Sequence, residues 1–305
     1  MPELPEVETM RRNIEKTLIG RTVERYELLS PFLLRHSPIP TLDPIVGKNV
    51  LDVRRRAKIL MIDFEGDLTM AMHSMLAGQI TIIRADDSRL VAGHPFPSPT
   101  GAFPAKMTHL TIWFDDGSQF YFSDIRQFGW IRLAPTAVIQ AFIESMAFGP
   151  EGIGEDPVDV DTLIRGLGRR RIPVKTALLD QKLLAGLGNI YVDEALHRAK
   201  IHPSTPANQV PLEKMPALLD AIQWALTEGL RQGGAKVIHT KAYPIDNFPE
   251  VHGREGEACP VCGTTIIKVK VGQRGTYLCP NCQPLPEGVK PPQAARTRGS
   301  QPEDE

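Results

Sequence analysis

Residues 259–283 read CPVCGTTIIKVKVGQRGTYLCPNCQ. Two Cys-x-x-Cys pairs, Cys259/Cys262 and Cys279/Cys282, stand sixteen residues apart. Four thiolates so spaced match a closed tetrahedral structural zinc site, with no open position for catalysis. A redox dithiol or accidental spacing is the alternative, and two knuckles at a zinc-ribbon interval disfavour it. These are the chain's four cysteines, and their clustering argues against a disulfide framework and for one local site in a reducing cytoplasm. Between the knuckles, Thr265–Val271 and Thr276–Leu278 are predicted as strands joined by Gly272-Gln273-Arg274-Gly275, with Arg274 at the tip of a metal-stapled hairpin. An arginine in a turn is ordinarily just solvated, whereas a zinc hairpin too small for its own core commonly presents its tip to a partner. Both readings stand on these residues alone.

Working outward, residues 285–305 are rich in Pro, Gly, charged and small residues, a composition unable to bury a core, so a disordered tail is expected. Upstream, Gly233–Arg254 has no period and reads as a loop. The stretch from Pro135 is helical in pattern: Ala137–Phe148, Val158–Leu167, Lys175–Ala185, Asn189–Lys200 and Pro211–Gln232. Pro150, Gly152, Gly154 and Pro157 suggest a linker. From Gly20 to about Leu133 the period changes. Thr22–Leu28, Asp52–Phe64, Leu68–Met72, Gln79–Arg84, His109–Phe114 and Gln119–Ser123 are short, often alternating and rich in Ile, Val, Thr and aromatics, as β-strands are. Gly93–Pro104 is too long for a hairpin and reads as a surface loop. Glu6–Leu18 is an amphipathic helix, with Val7, Met10, Ile14 and Leu18 at spacings of three and four. The expected organisation is therefore α+β: an N-terminal β-sandwich with one helix (1–134), a helical domain (135–250), a four-Cys zinc finger (251–284) and the tail (285–305).

Of 305 residues, 42% are hydrophobic and 23% charged, as in ordinary globular proteins. No apolar run approaches 18 residues and no signal-peptide pattern opens the chain, so neither a membrane span nor secretion is expected. The net charge of −1 points to no polyanionic partner, but basic residues are unevenly placed. Alternation in a strand sends Arg54, Arg56 and Lys58 to one face. Arg165, Arg169, Arg170, Arg171 and Lys175 gather at a helix approach, and Lys268, Lys270 and Arg274 lie on the zinc hairpin. Each cluster alone reads as a solvated face, and the three together could line a phosphate-binding groove. Gly186-Leu187-Gly188 reads as a tight turn before a helix that Asn189 could cap, an ordinary structural turn or a phosphate site.

The chain begins MPELPEVET. Pro5 pre-sets helical dihedrals and Glu6 suits a helix N-terminus, which explains those two residues but not Pro2 and Glu3. With Met1 removed, Pro2 presents a secondary amine titrating near ~8, partly neutral at physiological pH. Such an amine attacks a sugar C1′ by Schiff-base logic, and Glu3 beside it could transfer the proton.

PELPEVET, VRRRAK, DIRQFGW, GLGNIY and CPVCGT…QRGTYLCPNCQ occur in this order, and with them the chain resembles the formamidopyrimidine-DNA glycosylase / endonuclease VIII family over residues 1–283. The leucine in PELPE is similar to the formamidopyrimidine branch. The resemblance implies a bifunctional DNA glycosylase and abasic-site lyase of base excision repair, acting on oxidised purines (8-oxoguanine, formamidopyrimidines) in duplex DNA. It implies a helix-two-turn-helix DNA-binding domain, one zinc ion on Cys259, Cys262, Cys279 and Cys282, a monomer, and the bacterial cytoplasm and nucleoid. It implies Pro2 as Schiff-base nucleophile, Glu3 as proton donor, Lys58 as proton donor in β-elimination and Arg274 in δ-elimination. Arg126 and Phe128 would fill the void left by an everted base, and His73, Arg170 and Asn189 would contact phosphates, Arg170 replacing a lysine. Leu76, Met107, Gln127 and the stretch Gln232–Lys236 depart from the family pattern. The competing readings are an endonuclease VIII-like preference for oxidised pyrimidines or abasic sites, and a non-catalytic damaged-DNA binder.

Overall fold

The computed structural model describes residues 2–94, 96–98, 100–235 and 248–294. The chain divides into two compact units, Met1–Glu151 with Thr227–Ile238, and Gly152–Leu226 with His239–Glu305.

In the first unit, helix α1 spans Leu4–Leu18, two residues earlier than the periodicity suggested, because Glu3 and Glu6 form a reciprocal capping box. Among the described residues nine strands follow: β1 (Val23–Leu28), β2 (Val50–Arg56), β3 (Ile59–Phe64), β4 (Leu68–His73), β5 (Gly78–Ile83), β6 (Arg89–Gly93), β7 (Thr108–Phe114), β8 (Gln119–Asp124) and β9 (Trp130–Pro135). They form two antiparallel sheets, β1-β7-β8-β5-β6 and β2-β3-β4-β9. Val7, Met10, Ile14 and Leu18 of α1 join Leu60, Ile62, Phe64, Phe114, Phe120 and Phe122 in one core. The alternate residues of β3, Ile59 and Met61, pack with Ile139 and Ile143 of α2 (Thr136–Ser145). Strand β3 is thus apolar on both faces, as a central strand covered on both sides must be.

The single segment expected over Asp52–Phe64 is a hairpin. Arg56 pairs with Ile59 across a two-residue turn in which Ala57 has φ 52°. Ala57-Lys58 carries none of the Asn, Asp or Gly residues that mark such turns, so nothing in the local sequence betrays it. The alternation meant to align Arg54, Arg56 and Lys58 ends at Arg56.

The second unit contains α3 (Val160–Gly168), α4 (Val174–Leu178), α5 (Asn189–Arg198), most of α6 (Met215–Arg231), and β10 (Ile267–Val271) paired with β11 (Arg274–Leu278). Helix α4 stops seven residues short of its expected end. There Gln181 replaces helical bonds with its side chain, donating to the Leu179 and Leu187 carbonyls and accepting from the Gly186 amide. Within the stretch expected to be disordered, Gln293–Ala294 forms β12 on the free edge of β10. Residues 295–305 lie outside the described residues. Among the described residues, no helix is long and apolar enough to cross a membrane.

Candidate active site and nucleic-acid interface

At the start of α1, Pro2 is buried and Glu3 is 1% exposed. Glu6 ties this terminus to a distant loop: its Oε2 accepts the Glu3 amide at 2.8 Å and its Oε1 accepts the Ala235 amide at 2.6 Å. Gly234 adopts φ 117°, and a Cβ there would lie 2.8 Å from Glu6 Cγ, so glycine is required for the approach. The start of the Gln232–Lys236 departure is therefore held beside the terminus; Lys236 itself lies outside the described residues, as do Met1 and 237–247.

The basic face proposed for the first unit is not free. Arg54 bonds Asp63 at 2.5 Å, Arg55 bonds Glu8 at 3.0 Å and Glu151 at 2.7 Å, and Arg56 bonds Glu151 at 2.9 Å. Burial pushes the Glu8 carboxyl up, but bonds from Arg11, Arg55 and Arg12 outweigh it and hold the group below the usual range. Carboxylates supplied from elsewhere in the chain, invisible to a local charge count, neutralise these arginines. Lys58, 8% exposed, sits on the β2–β3 turn. Burial and the Lys58 charge lower His73 to about 4. His73 is therefore neutral at physiological pH. Its Nδ1 accepts the Met75 amide at 2.8 Å, which assigns the ring proton to Nε2, a donor suited to a phosphate oxygen.

The β8–β9 connection presents Arg126 and Phe128, both exposed, with the guanidinium carbon 4.8 Å from the ring centroid. Its backbone is clamped from two sides. The buried Asp124 carboxylate accepts the amides of Arg126 (3.0 Å) and Gly129 (2.8 Å). Arg35 donates to the carbonyls of Phe128 and Gly129, each at 2.8 Å. Gln127 stands at the apex with φ 55°. Nothing in the sequence assigned Asp124 a role, although it opens the quoted motif DIRQFGW, and nothing there marked Arg35. Leu76 is half-buried after β4, and Met107 accepts the Asp124 amide through its carbonyl.

In the second unit, one ligand atom from each of Cys259, Cys262, Cys279 and Cys282 falls within 4.8 Å of the others. Three of the sulfur–sulfur separations, at 3.4–3.9 Å, bracket the ~3.8 Å edge of a tetrahedron with Zn–S near 2.3 Å. Four thiolates in that geometry fit one structural zinc ion. The hairpin turn is Gly272-Gln273, so Arg274 is not in the loop but opens β11, opposite Val271 and exposed. The next carbonyl, Gly275, accepts from Lys175 Nζ (3.1 Å) and Asn189 Nδ2 (3.0 Å), fixing the strand that carries Arg274.

Two expectations fail here. Lys175 is no surface phosphate ligand: it is fully buried, bonded to Asp193 Oδ1 at 2.6 Å and Thr276 Oγ1 at 2.8 Å. Asn189 does not cap α5. Gly188 is the N-cap, and the Asn189 amide turns to the hairpin instead. Asp193 also accepts His252 Nδ1 (2.7 Å) and the Tyr277 amide (3.2 Å), while the buried Glu194 accepts the amides of Glu250, Val251 and His252. Burial raises the Glu194 carboxyl despite those three donors. Arg170 bonds the Gly166 carbonyl and Asp180 (2.9 Å); both partners of the ion pair are partly exposed, and such a pair, worth ~0–1 kcal/mol, exchanges cheaply for a phosphate.

Residues 1–131 match the formamidopyrimidine-DNA glycosylase N-terminal domain, 148–241 the H2TH domain of the same enzymes, and 256–285 a zinc finger found in FPG and IleRS. A formamidopyrimidine-DNA glycosylase of Lactobacillus helveticus is 35% identical over 93% of this chain and 99% of its own. The chain belongs to the formamidopyrimidine-DNA glycosylase family. A Streptococcus thermophilus member is 37% identical with the same coverage. The Lactococcus lactis member in complex with abasic-site DNA superposes with a TM-score of 0.80 at 32% identity, covering 93% of this chain and all of that one. A family member bound to DNA containing carbocyclic 8-oxoguanine gives 0.80 at 34% with the same coverage. The sandwich with its helix, the H2TH helices and the zinc hairpin are the family's architecture.

Proposed function

We propose that this glycosylase-family chain excises oxidised purines from duplex DNA in base excision repair and cleaves the resulting abasic site, with Pro2 as the covalent nucleophile. The observation that carries the residue assignment is the burial of the Glu3 carboxyl (1% exposed) at the cap of α1, one residue from the Pro2 nitrogen. A DNA-binding module needs neither group.

With Met1 removed, the Pro2 lone pair forms a bond to C1′ as the glycosidic bond breaks and the base departs with its electron pair, to be protonated. Glu3 relays the amine's proton to the deoxyribose ring oxygen as the C1′–O bond opens, leaving an iminium between Pro2 and C1′. Loss of a C2′ proton to solvent then breaks the C3′–O bond and expels the 3′-phosphate, which is protonated by Lys58, and Arg274 serves the second elimination on the 5′ side. C1′ is inaccessible in a stacked duplex, so the nucleotide must be everted. Arg126 and Phe128, exposed on a clamped loop, are the groups assigned to the vacated stack. The neutral His73 donor, Arg170 and Asn189 are assigned to phosphates. The zinc ion is structural and holds the hairpin carrying Arg274. The named relatives are bacterial, and we place this chain as a monomer in the bacterial cytoplasm, on nucleoid DNA.

Borohydride trapping on a duplex containing 8-oxoguanine tests the reading. A covalent adduct mapping to Pro2 by mass spectrometry, and lost when an N-terminal extension blocks the amine, is expected. No adduct on that duplex, or one on a lysine, would overturn it.

A further inference from the structure

One buried side chain beside the four thiolates has no part in the fold's packing logic or in the chemistry above. His197, in the last turn of α5, is 2% exposed, and its Nε2 lies 3.3 Å from Cys259 Sγ. Its Nδ1 makes no hydrogen bond, Glu250 Oε2 standing 3.6 Å away. The sulfur is the ring's nearer partner, and the Glu250 carboxylate faces its other nitrogen beyond hydrogen-bond distance. Cys259 is itself 3% exposed, so bulk water does not solvate its sulfur.

The geometry points to His197 as the hydrogen-bond donor that completes the zinc site from outside the four ligands. A thiolate bound to zinc carries no proton and only accepts, so the partner nitrogen must carry the hydrogen: the tautomer is Nε2–H, donating to Cys259. Four thiolates around a divalent ion leave a net charge of −2, and the site is buried on the side of Cys259 and Cys279, where an unsolvated sulfur needs a donor for the same reason as any buried anion. Outer partners of this kind orient the ligand and hold the metal. The donor comes from α5, whose neighbouring Asp193 and Glu194 bind the hairpin and the segment before it. One helix thus holds both the metal knuckle and the strands that the metal staples.

The test uses the full zinc-loaded chain and a chromogenic chelator such as pyridylazoresorcinol. His197→Phe, which fills the space but cannot donate, is expected to release zinc about 10–100-fold faster than the parent. His197→Gln, whose amide can donate, is expected to release it more slowly than the phenylalanine variant. A second measurement needs no variant: in the 113Cd-substituted parent, the His197 Hε2 proton should show scalar coupling to the metal through the Cys259 sulfur. Parental release rates in His197→Phe, no slowing by glutamine relative to phenylalanine, or no coupling to cadmium would each overturn the inference.

Discussion

Replacing Lys175 by methionine should loosen the zinc hairpin while leaving the four cysteines untouched. Lys175 and Asp193 are both fully buried and 2.6 Å apart. The ammonium also serves Gly275 O and Thr276 Oγ1, on the strand that carries Arg274. Removing one partner of such a pair leaves an uncompensated buried charge, which costs about 3–5 kcal/mol. Asp193 keeps His252 and the Tyr277 amide, which places the expected loss near the lower end, ~3 kcal/mol. The chain has two units, so a single global unfolding energy is not well defined, and the local observable is amide exchange of Tyr277. At ~1.4 kcal/mol per decade, its exchange should quicken roughly 150-fold. The double variant Lys175→Met/Asp193→Asn should recover much of that protection, because no charge is left unpaired and the asparagine side-chain oxygen can still accept the Tyr277 amide. Exchange within threefold of the parent, or a double variant worse than the single, would refute the reasoning.

Two further outcomes follow from the first unit. Arg35→Lys cannot bond the Phe128 and Gly129 carbonyls with one planar fork. It should lower kcat/KM several-fold on a lesion in duplex DNA yet leave Schiff-base trapping on a single-stranded abasic oligonucleotide unchanged; an equal effect on both would contradict the clamp. His73 titrates near 4 when folded and near 6.5 when unfolded, so its contribution to stability is fully present above pH 6.5 and is lost as pH falls toward 4. The gap corresponds to ~3 kcal/mol. The urea midpoint of His73→Gln should depend less on pH over that window, and an unchanged slope would refute the assignment.

The metal site is legible in the sequence because both knuckles are local: each thiolate pair is three residues apart, and the chemistry of zinc selects the spacing. The amphipathic stripe of α1 and most strands were equally legible, since burying one face imposes a period on the residues themselves. Helix α4 was overextended because its apolar pattern continues past Leu178, while its termination depends on the Gln181 side chain finding backbone groups on both sides of it. The hairpin at Ala57-Lys58 was missed because its turn is imposed by the pairing of β2 with β3. Strand β12 lies in a stretch whose composition could not bury a core; it is held instead by the backbone edge of β10, which has no compositional signature.

What the sequence by itself determined are the groups defined by chemical type and short spacing: the Pro2-Glu3 terminus, the four cysteines and the alternation of apolar residues. What only the tertiary structure decided is which charged side chains remain available. Arg54, Arg55, Arg56 and Lys175 look alike in a charge count, yet each meets a carboxylate: Arg54 meets Asp63 across its own hairpin, and the others meet Glu8, Glu151 or Asp193 from other elements. The same is true of the donors and acceptors that aim the site, from Glu6 and Arg35 to Asp124 and His197. Composition records a charge or a hydrogen-bonding group, but its partner, and therefore its role, is set by which segments folding brings within about 3 Å.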